Sequence, residues 1–272
     1  MRKIVFSILL PFIVLSNASA LAFEPSDYDD IVLQDNPVGY WLLEQGSTQD
    51  HSVNYLDGSF GGKATKTDYL PNGDTANAFN GKDNYFEIPD DDLLEITTTG
   101  ILTIEAWMKP KVLQFKNSEK GGYVHWMGKG EENQHSWVSR MYNYTNDENR
   151  PNRISGYSFN LEGALGAGSY FQDPVDTKEW IHYTLIINTV DTSDTYPTGY
   201  TKIYKNGALR DQDSLLGYDI IPGNGTAPTR IATRDFNSFF KGSIGKVAIY
   251  DYELDELQLL RHFYSMRGVC GK

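Results

Sequence analysis

The sequence predicts an all-β fold, a two-sheet antiparallel β-sandwich with short N- and C-terminal helices. Three observations carry this. Short β-type runs separated by clusters of Gly, Pro, Asn and Asp recur along the chain, which is how a sandwich or barrel is written. Helical periodicity is confined to two stretches near the ends. One Asn-Gly pair, Asn206-Gly207, sits between two extended runs, the strongest short signal for a hairpin because both turn residues must accept positive φ.

The chain opens with Arg2 and Lys3, an apolar run from Ile4 to Leu15 and a small-residue stretch ending in Ala20-Leu21-Ala22. This reads as a secretory signal peptide over residues 1–22, cleaved after Ala20 or Ala22. The run is too short for a bilayer span, which needs about 20 apolar residues. Nothing later is apolar enough either, so secretion or periplasmic residence without membrane insertion is expected. Residues 23–272 read as one domain, since neither an internal repeat nor a low-complexity linker divides them. The formal charge is −12, and removing Arg2 and Lys3 takes it to −14, an excess that argues against nucleic acid and anionic lipid as partners. The single cysteine, Cys270, excludes an internal disulfide and a cysteine metal site.

Taken in order, a first helix is expected over Asp27–Leu33 with Ser26 as its cap, stopped by Asp35-Asn36-Pro37. Strands follow at Gly39–Glu44, Asn77–Asn80, Tyr85–Ile88, Leu102–Lys109, Tyr123–Lys129, Ser136–Tyr144, Ile154–Leu161, Tyr170–Phe171, Trp180–Asn188, Thr201–Lys205, Thr229–Ala232 and Ser243–Tyr250. Gly163–Gly168 lacks the Lys-Ser/Thr ending of a phosphate loop and reads as a flexible inter-strand loop. A last helix over Leu254–Tyr264, capped by Asp255, places Leu257, Leu260 and Phe263 or Tyr264 on one face.

Several of these pieces, in this order, are similar to the laminin G-like jelly-roll family: Val38-Gly-Tyr-Trp-Leu-Leu-Glu44, Ala78-Phe-Asn-Gly-Lys-Asp-Asn-Tyr-Phe-Glu-Ile-Pro89, Leu102-Thr-Ile-Glu-Ala-Trp-Met-Lys-Pro110, Trp180-Ile-His-Tyr-Thr184, Ile203-Tyr-Lys-Asn-Gly207 and Phe240–Tyr250. The resemblance covers nearly all of residues 27–265 and implies a concanavalin A-like jelly roll. It leaves function open, because the fold hosts sugar binders, adhesion modules and glycosidases. It also implies that structural calcium would be held by oxygen-rich loops such as those carrying Asp50 and Asp83, with no cofactor required. The chain departs from the pattern in its last strand, where Ile244-Gly-Lys-Val247 replaces an Ile-Asp-Glu-Val and puts that calcium in doubt.

Alternation in Leu102–Met108 puts Leu102, Ile104, Ala106 and Met108 on one face and Thr103, Glu105 and Trp107 on the other, so Trp107 is either inter-sheet packing or a ligand platform. His182 reads as a hydrogen-bonded structural histidine. The most distinctive span runs from Val124 to Asn160, dense in aromatics, arginines and amides. Within it His125, Trp126, Lys129, Arg140, Tyr142, Tyr144, Arg150, Arg153 and Tyr157 are the candidate ligand-binding residues. Rings stack on the apolar faces of sugars while fixed polar groups hold the hydroxyls, and guanidinium forks match carboxylate or sulfate. The alternative is that these arginines pair with Glu131, Glu132, Asp147 and Glu148. Period-2 alternation sends Val138, Arg140, Tyr142 and Tyr144 to the solvent side and Trp137 and Met141 between the sheets.

The function this supports is a secreted, non-catalytic module for carbohydrate or a cell-surface glycan. A glycosidase or lyase is a second reading, with Glu105, His125 or Tyr142 as participants; no strand carries the paired acids at i and i+4 that a retaining glycosidase would use. A protein partner in an envelope or matrix assembly is a third.

Overall fold

The computed structural model describes residues 27–44, 46–63 and 65–267. The expected signal peptide, the Ser26 cap and Cys270 lie outside the described residues. Among those described, no helix is long and apolar enough to cross a membrane.

Two antiparallel sheets face each other. The first contains β1 (Gly39–Trp41), β3 (Lys66–Tyr69), β4 (Thr75–Asn80), β6 (Ile101–Pro110), β11 (Ile181–Asn188), β12 (Tyr200–Lys205), β13 (Ala208–Ser214) and β15 (Lys241–Tyr250). Its order is β13-β12-β11-β6-β15-β4-β3, with β1 also pairing β15. The second contains β2 (Ser59–Gly61), β5 (Tyr85–Ile88), β7 (Tyr123–Glu131), β8 (Gln134–Tyr142), β9 (Ile154–Asn160), β10 (Gly163–Phe171) and β14 (Thr229–Ile231), in the order β10-β9-β8-β7-β14-β5-β2. Helices α1 (Asp27–Gln34) and α3 (Glu256–Met266) accompany the first sheet, and α2 (Ile96–Thr99) leads into β6. The Asn206-Gly207 hairpin is present, with φ of 57° and 75°.

Alternation builds two cores rather than one. Leu102, Ile104, Ala106 and Met108 face the space between the sheets, meeting Trp126, Trp137, Met141 and Leu185. The opposite face of the same sheet carries Trp107, Tyr40, Ala248 and Tyr250, and these pack against Tyr28 and Val32 of α1 and Leu259 and Phe263 of α3. Trp107 is therefore neither inter-sheet packing nor a platform for ligand. It lies under the helices, stacked on Phe263 with centroids 6.0 Å apart and planes at 11°.

The last helix begins at the expected cap: the Asp255 carboxylate accepts from the N–H of Gln258, whose side chain accepts from the N–H of Asp255, a capping box. Its buried stripe is Leu259, His262, Phe263 and Met266, and Leu257 is exposed. The phase inferred from Leu257 and Leu260 is off because one core position is a histidine, which a hydrophobic pattern does not count.

Gly163–Gly168 is also corrected, from loop to strand. Rings of β9 lie against β10, and only glycine leaves them room. A Cβ on Gly168 would stand 2.5 Å from the Tyr157 ring, and one on Gly166 would stand 2.7 Å from that of Phe159.

The departure at Ile244-Gly-Lys-Val247 has a structural use. A β-bulge between Gly245 and Ala248 separates the part of β15 paired with β4 from the part paired with β1. Lys246 occupies it at φ 52° and is fully buried. Its ammonium lies 2.8 Å from both Asp29 and Asp74 and 3.6 Å from Glu44, so a lysine stands among three carboxylates.

Candidate functional site

The outer face of the second sheet holds a cleft of about 400 Å³ across β7 to β10. Strand parity and register put its side chains together. Tyr123 is opposite Tyr142, Arg140 opposite Ser155, and Tyr170 opposite Ser155 from the other side. Tyr123, Arg140, Tyr157 and Tyr170 thus project on one side, while Trp137 and Met141 are buried between the sheets, as alternation requires.

Arg140 is clasped between rings. Its guanidinium carbon lies 4.0 Å from the centroid of Tyr123, 4.7 Å from Tyr157 and 5.9 Å from Tyr142. One of its N–H groups donates to the Tyr142 hydroxyl at 3.3 Å, and its Nε has no hydrogen-bond acceptor. Arg153 lies over Tyr170 at 3.8 Å and donates from Nε to Gln172. Neither arginine has a carboxylate within salt-bridge distance among the described residues. Arg150 does: it pairs with Glu148 at 2.6 Å and donates to the Tyr142 hydroxyl at 2.8 Å. Of the acids that could have neutralised this region, Glu131 is drawn instead to Arg230 at 2.6 Å. Two guanidiniums stacked on tyrosines without a carboxylate can each take an anion on the N–H groups that Tyr142 and Gln172 leave over.

The remaining candidates divide. Arg150 and Tyr157 line the cleft with Arg140 and Arg153. Tyr142 is buried, contrary to the expected exposure; burial raises its hydroxyl pKa, and that hydroxyl ties Arg140 to Arg150 from below. Tyr144 is 64% exposed but lies past the end of β8 and does not line the cleft. Trp126 has the parity of Val124 and points between the sheets, edge-on to Tyr183, where no ligand reaches it. Lys129 is buried too, its ammonium held by Asp90, by Glu95 and by the carbonyl of Ala227. His125 is buried behind Tyr123, with burial foremost and then Arg234 and Arg140 holding its pKa well below the usual histidine range.

Cleft residues outside the candidate set are Tyr123, Phe159, Tyr170, Tyr218 and Asp213, together with Glu148, which was named above only as a counter-charge. Tyr123 shares the parity of His125 and was legible on that ground. Tyr170 lies in the expected strand Tyr170–Phe171, but with the glycine run read as a loop nothing placed that strand beside β9.

The calcium expectation meets contrary chemistry. The Asp50 carboxylate is buried and accepts from the N–H groups of Tyr40, Ser52 and Leu56 and from the Ser52 hydroxyl. Four donors aimed at one carboxylate staple a loop and would repel a cation. Asp83 accepts from the Asn80 side-chain amide within a tight turn. With the Lys246 ammonium in the last strand, these residues do not fit a calcium ion.

Glu105, offered as a catalytic acid, is buried against the helices. Tyr28 donates to it at 3.0 Å, and His182 and His262 lie 3.0 and 2.8 Å away. Both ring nitrogens of His262 face carboxylates, Glu105 at 2.8 Å and Asp35 at 2.9 Å, so both must donate and the ring is an imidazolium. Burial alone would lower the His262 pKa, but Glu105 and Asp35 raise it to about 9. Burial alone would raise Glu105, and the two histidines instead hold it well below the usual carboxylate range. This is a closed charge network without access for substrate. His182 is fully buried beside Glu105 and stacked on Trp107, but its ring nitrogens make no hydrogen bond, so the hydrogen-bonded part of the reading does not hold.

A family model described as the concanavalin A-like lectin/glucanases superfamily matches residues 80–259. Among solved structures, the chain is similar to domain 4 of AbnA, an extracellular arabinanase from Geobacillus stearothermophilus, in complex with arabinotriose (15% identity, TM-score 0.58, 84% of this chain and 98% of that one). It is also similar to the receptor-binding domain of botulinum neurotoxin C/D mosaic serotype (12%, TM-score 0.62, 85% and 51%) and to the binding domain of Paraclostridial Mosquitocidal Protein 1 (14%, TM-score 0.64, 86% and 53%). The chain spans about half the length of those two toxin domains. No curated protein matches it.

Proposed function

The chain belongs to the concanavalin A-like lectin/glucanase superfamily, and from that premise we propose that it is a secreted, non-catalytic module binding acidic carbohydrate in the β7–β10 cleft. The observation that carries the reading is the pair Arg140 and Arg153, stacked on tyrosines in an open cleft with no carboxylate partner among the described residues. Tyrosine faces suit the C–H face of a sugar ring, and the guanidinium edges suit its carboxylate or sulfate. The arabinotriose bound by the AbnA domain supports carbohydrate as the ligand class, because nearly the whole of that domain is matched. The signal-like residues 1–22 support export.

The test is calorimetric titration with uronate-, sialic acid- and sulfate-bearing oligosaccharides beside neutral arabino-oligosaccharides, with Arg140→Ala and Tyr157→Ala as variants. Acidic sugars are expected to bind and neutral ones to bind at least about tenfold more weakly, the size of one lost charge-assisted contact. Each variant should keep its fold and lose at least about tenfold in affinity. Silence across the panel, or binding indifferent to both variants, overturns the reading.

A further inference from the structure

Beside the cleft, but outside its lining, Glu119, His125 and Asp235 converge, with one ligating atom of each within 4.8 Å of the others. They arrive on three segments: the connection from β6 to β7, β7 itself, and the loop after β14. Each is fixed locally. The N–H of Glu119 donates to the carbonyl of Tyr123 at 2.8 Å, and the N–H of His125 donates to the Ser238 hydroxyl at 3.1 Å. Asp235 Oδ1 accepts from the N–H of Asn237 at 3.2 Å, leaving Oδ2 to Arg234.

What marks the group out is unmet polarity. His125 is 2% exposed, yet neither ring nitrogen has a hydrogen-bond partner, and Glu119 Oε1 is buried without one. Nδ1 and that oxygen stand 3.6 Å apart, too far for a hydrogen bond. Buried groups of this kind are costly when nothing binds them. A cation bound between the imidazole and the two carboxylates would satisfy both.

We propose that Glu119, His125 and Asp235 form a binding site for one divalent transition-metal ion of the zinc or manganese type. An imidazole nitrogen with two carboxylate oxygens suits those ions, whereas calcium takes six to eight oxygens. Three side chains leave the other coordination positions to water. Arg234 already neutralises part of Asp235, which makes this site weaker than an all-anion cage. The inference is independent of the carbohydrate reading, since it concerns the metal alone.

The experiment uses the full chain without a histidine tag, stripped with chelator, then titrated with zinc, manganese or calcium chloride by calorimetry and thermal melting. One equivalent of zinc or manganese is expected to bind and to raise the melting temperature by about 3 °C or more. Glu119→Gln should weaken that binding at least about tenfold with little change in the metal-free melting temperature, Asp235→Asn should weaken it likewise while lowering the metal-free melting temperature through the lost Arg234 pair, and His125→Gln should abolish it. Should His125→Gln fail to fold, the two carboxylate variants still decide. No response up to millimolar metal, a response equal in all variants, or a response to calcium alone would each overturn the assignment.

Discussion

Both sheets turn a face rich in aromatic rings and charge away from the central core, and the two faces have opposite fates. On the first sheet, Glu105, His182 and Trp107 are covered by α1 and α3, and the helices bring the partners: the Tyr28 hydroxyl from α1, the His262 imidazolium from α3, and the Asp35 carboxylate just past α1. On the second sheet, Arg140 and Arg153 lie on tyrosines and nothing in the described chain brings a carboxylate to them. The difference teaches how to separate scaffold from site when residue types are alike. A charged aromatic face whose partners the chain itself supplies is structure, and one whose partners are missing is addressed to something else.

The covered face should be the more fragile. Glu105→Ala removes the anion that His262 and His182 share and leaves a buried imidazolium half-compensated, which is expected to cost about 3–5 kcal/mol. Chemical denaturation checks it; a loss under about 1 kcal/mol would mean that the network is not the closed unit described.

A smaller effect should appear with pH. The folded pKa of His262, about 9, lies above the ordinary histidine value near 6.5. Protonated His262 therefore stabilises the fold fully below about pH 6.5, and that stability is lost as pH rises through 9, by roughly 3 kcal/mol in all. On the acid side, Asp35 is held down to about 2 in the fold by His262 and Arg261, against the opposing effect of burial. Its contribution is present above pH 4 or so and disappears as pH falls through 2. Melting temperature against pH should fall between 7 and 9.5, and His262→Gln should flatten that limb.

The open face should answer differently, through ligand more than through stability. Gly168→Ala places a Cβ 2.0 Å from the Gly156 carbonyl and 2.5 Å from the Tyr157 ring, so the strand must shift. Overpacking of this kind costs about 1–3 kcal/mol, and the displaced Tyr157 should cut affinity for the acidic sugar further than the melt suggests. Unchanged affinity would place the ligand away from Tyr157.

The two faces were also unequally legible. Period-2 alternation placed Trp137 and Met141 inside and Arg140 outside, because a strand's faces follow from sequence alone. What covers a face does not follow from it. Trp107 could be assigned to the side opposite Ile104, yet only the docking of α3 shows that Phe263 and His262 close over it. The glycine run 163–168 hid most of the strand that ends in the expected Tyr170–Phe171, because glycine lowers the strand signal where ring packing requires it. Tyr142 obeys its parity and is still buried, since neighbouring Arg140, Arg150 and Tyr123 close over it, a tertiary fact.

Lys246 has a consequence for the order of events in folding. It joins β15 to Asp29 in α1 across 217 positions of sequence. The first helix comes early in the chain, whereas the Lys246 ammonium that pairs with its buried aspartate comes only with the last strand. Until then α1 lacks both the Lys246 ammonium and the half of its apolar seat that α3 provides. Such a topology, ruled by distant contacts, closes late and slowly. The final strand acts as the latch, and a nascent chain that lacks it stays open.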